Sequence, residues 1–170
     1  MSKCPVCDYP LDDVQALLER IDSRDILVTL ALDFAGHVAR LTPLPAETRT
    51  RLGMVREWET NPQAASQVEA AWAVGWAQEQ GAARAAAEAE KAAERAAAEA
   101  ADRQEPGVVV KATQAAAAFA VSAVSIELEQ EIAEVERSWQ RARIEALACT
   151  CAPLPEAGST DRSRISSLAG

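Results

Sequence analysis

The stretch "GAARAAAEAEKAAERAAAEAADRQEPGVVVKATQAAAAFAVSAVSI", residues 81–126, decides how this chain folds. Alanine is the strongest intrinsic helix former and loses no side-chain entropy on ordering. Before "EPG" the alanines leave a stripe through Ala85, Ala89, Ala92 or Ala93, Ala96 and Ala100. Arg84, Glu88, Lys91 and Arg95 follow a separate charged stripe. Methyl side chains on one seam let helix axes approach to the lower end of the usual spacing of about 8–10 Å. Glu105–Pro106–Gly107 reads as a reversal. The pattern therefore predicts an antiparallel hairpin of two long helices, about 62–104 and 108–148.

In the second helix of that hairpin an early seam runs through Val109, Ala112, Ala116, Phe119, Ala123 and Ile126. A later seam runs through Val121, Val124, Leu128, Ile132, Val135, Trp139, Ala142 and Ala146. Drift between seams is expected, because 3.6 residues per turn do not match a heptad. Trp72 and Trp76 stand four apart and share a face with Val68. With Trp58 and Trp139 they are expected to fill the gaps that alanine leaves, at least three as core. An indole exposed beside acidic residues would instead be a binding anchor.

Three shorter helices precede the hairpin. "LDDVQALLERI" carries Leu11, Val14, Leu17 or Leu18 and Ile21 on one face. Ser23 is placed to cap "RDILVTLALDFAGHVARL", and "TPLP" stops that helix. Pro45 opens a third helix to about Glu59, and Asn61–Pro62 restarts the chain. The fold class is thus all-α: residues 1–10 a cysteine-containing knuckle, 11–152 a helical domain, and 153–170, rich in serine and proline, a flexible tail.

Composition narrows function. Hydrophobic residues make up 49% of the chain but aromatics only 4%, the surplus being alanine. A formal net charge of −9 opposes a nucleic-acid surface, which needs clustered Lys and Arg. It suits a partner with a basic surface. No charged-then-apolar leader opens the sequence, and "ATQAAAAFAVSAVSI" falls short of the roughly 20 residues of a bilayer span. A cytoplasmic protein with no membrane role is expected.

Candidate chemistry is confined to a few residues. "CPVC" (Cys4, Cys7) and "CTC" (Cys149, Cys151) offer four sulfurs, and a structural zinc ion would need both chain ends at one pole of the bundle. Reduced, uncombined thiols are the competing reading, with redox or disulfide roles behind it. His37, the sole histidine, excludes most histidine-based catalysis and suits a surface or boundary position near a helix C-terminus. Glu127, Glu131 and Glu134 are expected on one helical face, as a solvated surface or a patch for a basic partner; Glu129 and Glu136 lie on another. Bundle di-metal centres pair such carboxylates with Glu-x-x-His, which this helix lacks. Neither a phosphate-cradling glycine loop nor a nucleophile elbow occurs.

The stretches "ALDFAGHVARLTPLP", "RLGMVREWETNPQ" and "EVERSWQRARIEAL", with the alanine hairpin between them, resemble alanine-rich helical bacterial immunity proteins of polymorphic-toxin systems over about residues 31–147. The resemblance implies neutralisation of another protein by contact and no catalysis. The alternative is a zinc-stapled accessory or regulatory protein of a phage or mobile element, held by Cys4, Cys7, Cys149 and Cys151.

Overall fold

The computed structural model describes Cys4, Val6 and residues 13–103, 105–127 and 130–149. The expected tail, Cys7, Cys151 and Glu129 lie outside the described residues. Seven α-helices are present among them: α1 (Val14–Leu18), α2 (Arg24–Leu41), α3 (Ala46–Thr60), α4 (Gln67–Glu79), α5 (Gly81–Ala101), α6 (Pro106–Glu127) and α7 (Gln130–Ala148). A 3₁₀ turn, Pro62–Ala64, links α3 to α4.

The capping signals operate as their chemistry dictates. Asp13 accepts from the Gln15 amide and Ser23 from the Ile26 amide. At α4, Ser66 and Glu69 form a reciprocal capping box. The chain reverses between α5 and α6 at Asp102–Arg103, where Arg103 takes a left-handed φ of 55°. That conformation is usual where a helix ends, though glycine normally supplies it. Pro106 and Gly107 already belong to α6, so the proline acts as a first-turn residue of the helix after the bend.

The all-α bundle rests on the antiparallel pair α5–α6, its most extensive contact. Its interface is made of methyl groups: Ala85, Ala89, Ala93 and Ala96 of α5 and Ala116, Ala120 and Ala123 of α6 are all buried. Helix α2 lies along both and contributes the large side chains Leu27, Leu30, Phe34 and Val38, each fully buried. Leu17 and Leu18 of α1 and Ile144 of α7 complete this core. Thr113 is fully buried in it, its hydroxyl 3.0 Å from the Val109 carbonyl and 3.2 Å from that of Leu27. By length and composition Pro106–Ser125 is apolar enough to cross a membrane, but half of that stretch is buried inside the bundle.

Three expectations change. First, each long rod is divided. Gln80 (φ −93°, ψ 37°) separates α4 from α5 beside Gly81, a weak helix former. The second rod is two helices, α6 ending at Glu127 and α7 beginning at Gln130, and α7 folds back: the Gln140 side-chain amide donates to the Ala117 carbonyl at 3.0 Å. Second, the buried stripe of α7 is Ala133, Glu136, Gln140, Ile144 and Ala148, while Val135 of the expected seam is exposed. Third, the indoles are not sealed within the hairpin. Trp58, Trp76 and Trp139 are half-buried and Trp72 is 65% exposed, because a methyl-to-methyl interface has no room for them.

Helices α3 and α4 form a smaller unit around Leu52, Val55, Ala73 and Ala77. It meets α5 through ion pairs: Arg49 bidentate to Glu90 (3.1 and 3.2 Å), Arg84 to Glu59 (2.7 Å), and Arg56 to Glu88. Arg84 and Glu88 of the charged stripe, with Glu90 beside it, thus dock α3.

Candidate functional site

Helices α2 and α7 run antiparallel and meet through a polar and aromatic seam. Asp33 accepts from Arg143 Nε at 2.7 Å. One turn on, Phe34 meets Trp139 edge to face, with ring centroids 6.3 Å apart. His37 stacks flat on the same indole, centroids 3.8 Å apart and planes 12° from parallel. Its Nδ1 lies 2.8 Å from Glu136 Oε2, and Glu136 Oε1 accepts from Gln140 Nε2 at 3.1 Å. An ionised carboxylate only accepts, so Nδ1 then carries a hydrogen.

The Glu136 side chain is 2% exposed and that of His37 21%. Both carboxylate oxygens are satisfied, which is what a buried charge requires. This arrangement orients the imidazole and ties α7 to α2 as a clasp. The boundary position read for His37 holds. Its partner was not anticipated, although Glu136 and Gln140 stand four apart on one helical face.

The acidic residues Glu127, Glu131 and Glu134 do not share one helix, since Glu127 closes α6 while Glu131 and Glu134 belong to α7. Glu134 is exposed and pairs with Arg137. The side chains of Glu127 and Glu131 lie outside the described residues.

The two chain ends do meet. Cys4, 2% exposed, and Cys149, directly after α7, bring their sulfurs to 3.7 Å. Among the described residues no three Cys, His, Asp or Glu side chains gather as a metal cluster. Cys7 and Cys151 are not among those residues.

The largest exposed apolar side chains of the small α3–α4 unit converge on one side of it. A groove of about 240 Å³ is lined by Met54, Trp58, Trp72 and Trp76. Trp72 is 65%, Met54 48% and neighbouring Val68 80% exposed. The Arg51 guanidinium lies 5.8 Å from the Trp76 ring centroid and pairs with Glu47 at 2.8 Å. Beside Trp72, Glu69 is held below its ordinary carboxylate range by the Ser66 hydroxyl (2.7 Å) and then by the Ser66 amide (3.1 Å). It therefore favours the ionised form, three positions before Trp72 on α4. Comparison with protein-family models, curated proteins and solved structures finds no match to this chain.

Proposed function

We propose that this chain is a non-enzymatic binding protein that neutralises or regulates a partner protein with a basic surface, in the manner the immunity-protein resemblance implies. The observation that carries the reading is the exposure of Trp72 among Val68, Met54, Trp58 and Trp76. A contiguous apolar patch with polar edges is a common mark of a protein contact. Tryptophan is also among the side chains that most often dominate binding energy.

Charge supports the choice of partner. The arginines of α3 are already engaged: Arg49 and Arg56 by glutamates of α5, Arg51 by Glu47. Glu57, Glu69 and Glu79 are exposed on the same two helices, so the unit that carries the indoles also carries negative charge on its surface. Such charge favours encounter with a cationic partner and disfavours acidic ones. The Glu127, Glu131 and Glu134 region would be a second acidic contact rather than the anchor.

A photo-crosslinking amino acid at position 72 tests the reading in the source cells. One discrete protein adduct is expected, and the purified adduct partner should bind the parent chain but lose at least about tenfold affinity for Trp72→Ala. Unchanged affinity for Trp72→Ala, or adducts only from positions 127, 131 and 134, would move the interface off α3–α4.

A further inference from the structure

We propose that Cys4 and Cys149 are two thiolate ligands of a structural zinc ion, for whose remaining positions the sequence offers Cys7 and Cys151. The two sulfurs meet across 145 positions of sequence at 3.7 Å. Two sulfurs bound to one tetrahedral zinc at about 2.3 Å span an edge of about 3.8 Å. A disulfide would place them at about 2.05 Å. The observed separation excludes a covalent pair and matches that edge, as it would also match a contact between two reduced thiols.

Both sulfurs are also positioned by the fold. The Cys149 amide donates to the Glu145 carbonyl at 3.0 Å, which fixes this residue on the last turn of α7. Cys4 and Val6 are buried against the main core, and α1 contacts α7 beside them. Cys7 and Cys151 lie outside the described residues and stand three and two positions after Cys4 and Cys149 in the sequence.

Four thiolates close the coordination shell, so the ion would staple the beginning of the chain to its last helix and leave no position for substrate. Because an unfolded chain holds no such site, zinc affinity appears as folding stability. The proposal is independent of the α3–α4 interface.

The test uses the full chain, expressed with added zinc and purified under reducing conditions. Elemental analysis should find one zinc per chain, and a chelator should release four reactive thiols per zinc and lower the melting temperature. Cys4→Ser and Cys149→Ser should each weaken zinc binding by at least about tenfold. If either variant fails to fold, cobalt exchange into the parent chain still gives a readout, with thiolate-to-metal charge transfer expected. Substoichiometric zinc, a melt indifferent to the chelator, or an intact mass revealing a Cys4–Cys149 disulfide would overturn the assignment.

Discussion

Replacing Ala89 by leucine tests the contact on which the bundle is built. Ala89 is 0% exposed and sits midway along α5 against the alanines of α6. Where a vacancy existed, burying a leucine side chain would contribute about 1.5–3 kcal/mol relative to leaving it in water. Between helices spaced by methyl groups there is no vacancy, and three added carbons must push the axes apart or leave their rotamer wells. Overpacking of that kind costs about 1–3 kcal/mol. Helix propensity changes by only a few tenths of a kcal/mol between alanine and leucine and does not decide the outcome.

The expected net effect is therefore a destabilisation of about 1–3 kcal/mol, a large share of a total near 5–15 kcal/mol. Ala98, exposed on the same helix, supplies the control: Ala98→Leu should stay within about 0.5 kcal/mol of the parent. Urea unfolding followed by far-UV ellipticity measures both, with an unchanged denaturant slope showing that the same transition is compared. An Ala89→Leu chain as stable as the parent, or more so, would mean that the seam is loose and that α5 and α6 are not held by close approach.

Two further outcomes follow from the polar contacts. His37→Ala leaves the buried Glu136 carboxylate with Gln140 as its remaining partner and should cost about 2–4 kcal/mol, while a double-mutant cycle between positions 37 and 136 should return a coupling near 1.5–3 kcal/mol. A coupling within error of zero would show that the clasp does not hold α7. At the α4 cap, the folded-state carboxyl of Glu69 is depressed below its ordinary value of 4.5, so its contribution is fully present above that value and vanishes as pH falls through the lower folded value. Amide exchange in the first turn of α4 should therefore lose protection on acidification in the parent but show much less pH dependence in Glu69→Gln, and equal pH dependence in both would rule out this capping contribution.

Local chemistry made much of the fold legible. Ser23, Pro45 and the alanine periodicity act within a few residues of themselves, so their consequences are written in sequence. The fold-back of α7 was not legible for the opposite reason. Around residues 127–130 the sequence reads "ELEQ", without glycine or proline, and nothing local tells a helix to stop there. Among the described contacts, the turn is fixed by groups distant in sequence: Gln140 on Ala117, Arg143 on Asp33, Glu136 on His37. An apolar-period reading also passes over Glu136 and Gln140, because it scores a buried stripe by hydrophobicity alone. The informative pattern was Ala133, Glu136, Gln140, Ile144 and Ala148, a single face in which the polar members require named partners.

That same polar face explains why the tryptophans are free to serve elsewhere. A helix laid on alanine could slide, since methyl ridges discriminate poorly between registers. Directional contacts remove the ambiguity: shifting α7 by one turn against α2 would strand a buried carboxylate without its imidazole and separate Arg143 from Asp33. Register is thus set by hydrogen bonds and charge, closeness by alanine, and bulk by Phe34 and the leucines of α1 and α2. Three of the four indoles, Trp58, Trp72 and Trp76, are then left to the small α3–α4 unit, which meets α5 through arginine–glutamate pairs and the methyl groups of Ala83 and Ala87. Exposed ion pairs contribute little each, typically below about 1 kcal/mol, so these pairs hold the unit to α5 only weakly beside the packing of Ala83 and Ala87.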